Sequence, residues 1–122
     1  MDVLFDDGDT KDLIENLNDV TVDKKKILKI LSKETSRKVK MRLDQLKAAP
    51  NFQWLIDNPI GHFEGLTGDF EHKYSLRLDS NYRIIIRPNS NDYTRDSLVK
   101  CTEYYLEGVV DYHGGKRKWL IP

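Results

Sequence analysis

Lys73-Tyr74-Ser75-Leu76-Arg77-Leu78-Asp79-Ser80-Asn81-Tyr82-Arg83-Ile84-Ile85-Ile86-Arg87 alternates apolar and polar residues on either side of a short polar centre. That is the pattern of two β-strands around a tight turn. In an antiparallel pair, directly opposed residues lie on the same side of the sheet. A turn at Ser80-Asn81 alone opposes Leu78 to Arg83 and mixes the faces. A longer loop, Asp79-Ser80-Asn81, opposes Leu78 to Tyr82, Leu76 to Ile84 and Tyr74 to Ile86, which keeps the apolar set together. The second register is therefore expected, with Asn81 in the left-handed conformation that such loops use and that Asn tolerates.

The same register opposes Arg77 to Arg83 and Lys73 to Arg87 on the other face, with Ser75 and Ile85 between them. Like charges directly opposed destabilise a sheet. Either an anion is meant to sit there, or the long side chains splay into solvent. From the hairpin alone the two readings weigh equally.

Outside the hairpin, composition sets the class. The chain has 122 residues, 39% hydrophobic and 33% charged, which fits one soluble domain over 1–122 with a single core. No apolar run approaches membrane length, and the start lacks a signal-peptide pattern, so a cytoplasmic location is expected. Cys101 is the one cysteine, which excludes an intrachain disulfide and a thiolate metal cluster; it reads as a small buried apolar residue.

Net charge is zero, but it is unevenly spread. Residues 1–22 carry seven acids and one Lys, a net of −6, so residues 23–122 carry +6. Residues 23–49 alone hold ten Lys or Arg against three acids, a net of +7. Clustered basic charge on one element is an electrostatic signature of polyanion binding, although many basic helices are only solvated faces.

Along the chain, Val3-Leu4-Phe5 reads as an edge strand, and Asp9 or Thr10 as the cap of a short helix reaching Leu17. Ile27, Leu31, Val39, Leu43 and Leu46 recur at helical spacing, predicting helix over 23–49, with a break near Thr35-Ser36 as a variant and Pro50 as its end. Trp54 reads as a core plug rather than a stacking platform. Residues 62–67 form a short strand, 88–99 a turn-rich loop, and 100–113 a further strand that Gly114-Gly115 breaks. Helices followed by an antiparallel meander make an α+β domain, with the helices on one face of the sheet. The acidic segment 1–22 and a short extension, 114–122, flank it.

Chemistry in the polar residues is sparse but coherent. Asp111 and His113 are an acid/base pair in outline, since imidazole titrates near neutrality and a carboxylate can orient it. Arg77 and Arg83 suit a phosphate and the charge that develops on it. RNA carries its own nucleophile, the 2′-hydroxyl, so its cleavage needs only acid, base and cationic stabilisation, and no metal or other cofactor is expected. By spacing alone, a His near a strand end is more often structural. Metalloprotease, phosphate-loop and serine-hydrolase signatures are missing from the sequence.

Three ordered stretches carry a resemblance. They are Lys38-Val39-Lys40-Met41-Arg42-Leu43-Asp44-Gln45-Leu46-Lys47-Ala48-Ala49; His62-Phe63-Glu64-Gly65-Leu66-Thr67-Gly68-Asp69, followed by Tyr74 to Leu78 and Asn81 to Ile84; and Val109-Val110-Asp111-Tyr112-His113. Over residues 38–113 the chain resembles the HigB toxins of the RelE/ParE superfamily. The resemblance implies a RelE-like fold, with helices packed on a small antiparallel sheet. It implies a metal-independent endoribonuclease, an mRNA interferase that cleaves messenger RNA in the ribosomal A site. The implied partner is a HigA-type helix-turn-helix antitoxin, in an oligomer with the toxin. By motif match Arg83 is the catalytic arginine that contacts the scissile phosphate, and Arg77 is the arginine of the Tyr-Ser-Leu-Arg motif, also counted as catalytic. Asp111, Tyr112 and His113 take the acid/base and substrate-binding positions. Lys73 and Arg87 of the hairpin, with Lys38 and Arg42 of the basic helix, are the expected RNA-binding cations.

The chain departs from the pattern in three places. Thr67 stands where many members have a Lys beside the Gly, a place Lys73 could fill. The chain runs on beyond the Asp-Tyr-His, where the tail could cover the sheet edge, bind the antitoxin or make a dimer contact. The acidic first segment fits the family poorly; it reads as a solvated turn, or as an RNA mimic on the basic face. Two other readings compete: a ParE-like toxin that poisons gyrase without cutting RNA, and a non-catalytic RNA-binding or regulatory member of the same fold.

Overall fold

The computed structural model describes residues 1–15, 32–113 and 116–121, with the backbone alone at Leu13, His113 and Lys116. Its central hairpin has the register that alternation dictates. β3 (Tyr74–Arg77) and β4 (Tyr82–Pro88) pair antiparallel, with Tyr74 opposite Ile86, Leu76 opposite Ile84 and Arg77 opposite Arg83. The turn is closed by a different device from the expected one. Asn81 does not have a positive φ. Instead Asp79 Oδ1 accepts from the backbone N–H of Asn81 and of Tyr82, both at 2.8 Å. A side-chain acceptor two residues upstream supplies the turn's hydrogen bonds, so no left-handed residue is required.

The sheet grows outward from that hairpin. β2 (Glu64–Gly65) pairs antiparallel with β3, and β5 (Glu103–His113) pairs antiparallel with β4. The other edge of β5 is shared. β1 (Asp2–Leu4) lies parallel to its first residues, and β6 (Lys116–Ile121) antiparallel to its last. The order is β1-β5-β4-β3-β2, with β6 beside β5. Of the roles open to the extension 114–122, its 116–121 portion takes the first: it is a sheet strand and covers the β5 edge.

One face of the sheet is the core. α1 (Gly8–Glu15), α2 (Lys33–Ala48), α3 (Phe52–Asp57) and α4 (Arg95–Val99) accompany the strands. Val39 and Leu46 of α2 and Phe52 and Leu55 of α3 join Leu76, Ile84, Ile86, Leu106 and Val109 in a single buried cluster. The even-numbered residues of the hairpin thus face helices, and Arg77, Arg83 and Arg87 point the other way. The Met1 ammonium ends α2 by donating to the carbonyls of Leu46, Lys47 and Ala49, at 3.1, 2.9 and 2.7 Å. A cation there satisfies orphan carbonyls and opposes the negative end of the helix dipole.

Several expectations are corrected locally. Asp7, not Asp9 or Thr10, caps α1, with its Oδ1 accepting from the Asp9 N–H at 3.1 Å. α2 opens at Ser32, whose hydroxyl accepts from the Thr35 N–H at 3.1 Å. The end of the short helix expected to reach Leu17, and the 23–31 part of the long one, lie outside the described residues. Trp54 is not a core plug. Asn51 caps α3 through the Trp54 N–H at 2.8 Å, which sends Phe52 and Leu55 inward and leaves Trp54 37% exposed. The strand expected over 62–67 shrinks to Glu64–Gly65, because Gly61 and His62 both turn with positive φ. The loop 88–99 contains α4, capped by Thr94 and clasped to α3 by the bidentate Arg95–Asp57 pair at 3.1 and 2.8 Å. Cys101 is buried, as its chemistry predicts.

Candidate functional site

The sheet face away from the helices carries the candidate site. Arg77 and Arg83 are direct cross-strand partners, and Val110 of β5 lies opposite Arg83 on its other side. Tyr112, two residues further along β5, shares that face, and the Arg83 guanidinium lies 4.5 Å from its ring centre. The Tyr112 backbone N–H donates to the Asn81 carbonyl at 2.7 Å, tying the end of β5 to the hairpin turn. Among the described residues Arg83 Nη1 makes only long hydrogen bonds, to the Ser80 and Asn81 carbonyls at 3.4 and 3.3 Å. Arg77 Nε and Ser75 Oγ are buried and have no hydrogen-bond partner among the described residues. A buried unpaired donor is costly, and a phosphate oxygen is the acceptor a guanidinium fits best.

Arg77 is held from the helix side. Its N–H donates to the Gly61 carbonyl at 2.7 Å, and its carbonyl accepts from Arg42 Nε at 2.9 Å. The Arg42 guanidinium packs where a Gly61 side chain would stand, 2.9 Å from the place of a Cβ. Gly61 has a φ of +57°, so both its conformation and its bareness suit this contact. Arg42 also donates to Gln45 Oε1 at 2.8 Å. Its guanidinium is committed to the backbone under Arg77 and to its own helix.

The remaining expected residues are dispersed. Lys38 is on α2, 3.8 Å from Glu34, so neither helix cation joins the open face. Lys73 and Arg87 share Glu107: Lys73 Nζ lies 3.7 Å from its carboxylate, and Arg87 Nε donates to the same oxygen. Glu107 is the extra residue of a β-bulge, since Ile85 pairs with Gly108 but Ile86 with Leu106. Arg87 also donates to Asp6, so among the described residues the acidic first segment touches the basic face at this cation. Burial depresses the Arg87 pKa, but the bonds to Asp6 and Glu107 outweigh that and hold it protonated. The four-cation patch is therefore divided. Lys73 and Arg87 are neutralised within the fold, and Arg77 and Arg83 have no ion pair among the described residues.

Asp111 lies opposite Tyr82, whose alternation with Arg83 puts it on the helix side of the sheet. It is therefore not beside Tyr112 and the arginines. The His113 backbone pairs with that of Lys116, and its side chain lies outside the described residues. Among the described residues no group of three or more His, Cys, Asp or Glu side chains is placed to hold a metal ion, and no helix is long and apolar enough to cross a membrane.

The fold resembles that of a bacterial toxin. A solved YoeB/ParE toxin from Agrobacterium tumefaciens superposes with a TM-score of 0.50 at 15% identity, over 87% of this chain and 92% of that one. No protein-family model matches the sequence, and no curated protein is similar enough to count as a match. The likeness is one of architecture, and roles for residues rest on the geometry above.

Three residues of the open face were not singled out from the sequence: Phe70, Arg117 and Trp119. Phe70 closes a short 3-10 turn, Gly68–Phe70, while Arg117 and Trp119 alternate along β6. The signal for β6 was present. Gly114-Gly115 between two strand-forming runs marks a hairpin as readily as a strand end.

Proposed function

We propose that this protein is the toxin of a type II toxin–antitoxin system, a HigB-like mRNA interferase acting in the ribosomal A site. The observation that carries the reading is the cross-strand pair Arg77–Arg83, unneutralised and beside Tyr112 on the open face. Like charges held opposite each other are a cost that a bound phosphate repays. In the reaction the 2′-hydroxyl loses its proton to a base, and its oxygen attacks the adjacent phosphorus. The 5′-oxygen leaves with a proton from an acid, giving a 2′,3′-cyclic phosphate and a 5′-hydroxyl end. Arg83, with Arg77, stabilises the charge gathering on the phosphoryl oxygens. Tyr112 is the proposed acid/base group at the scissile bond, and His113 alternates with it along β5, at a register position on the Asp111 side. Asp111, on the other side of β5, acts as a positioning residue for that end of the strand. Thr67 takes no part in this scheme. The proposed partner is a HigA-type antitoxin.

The test is induced expression in bacteria, with messenger RNA 5′ ends mapped. Wild type is expected to stop growth and to cut within reading frames, and Arg83→Ala to do neither. An Arg83→Ala variant as toxic as wild type sinks the reading. One observation favours a second reading, a ParE-like gyrase poison: Asp111 stands apart from the arginines, which weakens the acid/base set. Growth arrest with intact messages, together with inhibition of gyrase supercoiling by purified protein, would select it.

A further inference from the structure

The open face carries more than the paired arginines. Arg83 Cζ is 4.5 Å from the Tyr112 ring centre, and Arg117 Cζ is 5.6 Å from the same ring. Arg117 Cζ is also 4.2 Å from the Phe70 ring centre, which has Lys73 Nζ at 5.4 Å and the Trp119 ring at 5.9 Å. Cations and rings therefore alternate without a gap from β4, across β5 and β6, to the loop before β3. Trp119 lies over Gly108, with its ring 3.0 Å from where a Cβ would stand. Gly108 is the partner of Ile85, so Trp119 helps to bury the centre of this face while remaining 37% exposed itself.

A bland account exists, in which the contacts merely fasten β6 to the sheet. Two features go beyond it. Arg117 is exposed and, among the described residues, has ring contacts but neither a hydrogen bond nor an ion pair. Its five N–H donors are thus uncommitted. An exposed indole beside a stacked guanidinium is also the arrangement that holds single-stranded nucleic acid. Every base has a π-face to stack, and the cation follows the backbone.

We propose that Phe70, Trp119 and Arg117 form a single-stranded RNA-binding surface contiguous with Arg77 and Arg83. The rings stack bases flanking the cleaved bond, and Arg117 holds an adjacent phosphate. This deepens the interferase reading and rests on it for the direction of the strand, not for the binding itself. β6 is then part of the substrate surface, because it supplies two of the three groups.

Fluorescence anisotropy with a labelled oligoadenylate of about ten nucleotides tests it, a length within the range a stacking groove of this kind covers. Arg117→Ala, at an exposed position, is expected to weaken binding about tenfold, and Trp119→Leu by a similar factor, while duplex RNA binds poorly to all forms because its bases are inaccessible. Arg117→Lys separates charge from stacking. Affinity is expected to recover only in part, since an ammonium cannot lie flat on the Phe70 ring. Circular dichroism confirms that each variant is folded. If Arg117→Ala and Trp119→Leu bind the oligonucleotide as wild type does, or if wild type does not bind it at low salt, the surface is not an RNA site and a protein partner becomes its occupant. Loss of binding in these variants, with messenger RNA left intact when wild type is expressed in bacteria, would support the surface and overturn the interferase reading. Messenger RNA cut within reading frames on expression of wild type, with unchanged oligonucleotide binding in the variants, would do the reverse.

Discussion

Arg42 shows how a residue on the core side shapes the site on the open side. Its guanidinium packs on Gly61 and donates to the Arg77 carbonyl at 2.9 Å, so it fixes the strand end that presents Arg77. Arg42→Ala is expected to lower stability by about 2 kcal/mol, the scale of a hydrogen bond made by a charged group, read as a lower urea midpoint. Arg42→Lys should rescue little of it, because a point charge on a flexible stem does not reproduce a planar stacked donor. A loss in RNA binding equal in Arg42→Ala and Arg42→Glu would confirm that Arg42 acts through backbone geometry, whereas a much larger loss in Arg42→Glu would mean direct phosphate contact. Arg83 is expected to behave differently. Arg83→Ala should leave the unfolding midpoint nearly unchanged while cutting RNA cleavage at least about a hundredfold, the scale for losing one group that stabilises transition-state charge. The sequence reading put Arg77 and Arg83 at the scissile phosphate and Arg42 among the RNA-binding cations of the basic helix. It could not show that Arg42 is committed to the fold, because the backbone turn at Gly61 and Arg77 that captures Arg42 is a long-range contact.

At the scale of elements, β6 and the α3–α4 clasp are the two pieces whose removal can be read separately. Gly108 has a φ of +153°, and a Cβ there would stand 1.8 Å from the Ile121 carbonyl oxygen. Gly108→Ala is therefore expected to detach β6 rather than unfold the protein. Hydrogen exchange should speed up at residues 117–121 while β4 stays protected, and exchange that rises equally in β4 would contradict the assignment of β6 as a separable strand. Asp57 works through charge. Hydrogen bonds from Arg95, and then Gln53, hold its carboxyl below the ordinary value of 3.8. A depressed carboxylate stabilises the fold fully above its unfolded pKa and loses that contribution as pH falls through the folded one. Asp57→Asn should thus lower the melting temperature slightly at neutral pH, with the gap closing below about pH 3.8, and a gap that persists in acid would rule out the ion pair as its cause. Hairpin and core strands were legible because burial of one face leaves a single register that keeps Leu76, Ile84 and Ile86 together. The turn at Asp79, the short α4 and β6 were less so. Each is set by a local side-chain bond or by pairing with a distant edge, and neither leaves a periodic trace. Trp54 was misassigned for the same reason: the Asn51 cap, not hydrophobicity, fixes which way it faces.

Over the whole molecule the formal charges cancel, twenty basic residues against twenty acidic, so any attraction for a polyanion comes from where the charges lie. The first 22 residues hold a net of −6, and among the described residues that segment meets the open face in the Asp6–Arg87 contact. Arg87 also serves Glu107 and stacks at 3.9 Å on the Tyr105 ring, so its guanidinium is occupied at every side that the described residues provide. Asp6 is more than half exposed, which makes it the weaker of the two acidic partners and the one that salt screens. Asp6→Asn is therefore expected to free part of the Arg87 charge without loosening the sheet. Single-stranded RNA affinity should rise a few-fold at low ionic strength. The log–log dependence on salt should steepen by a fraction of the roughly 0.7 that each neutralised phosphate adds on a single strand. Above about 1 M salt, where the Debye length is near 3 Å, wild type and variant should coincide. Identical affinities at low salt would mean that RNA never approaches the Arg87 end of the face, and that substrate binding is confined to the Arg83, Tyr112 and Arg117 end. A loss of affinity in Asp6→Asn would mean that the Asp6 contact orders Arg87 for RNA rather than competing with it.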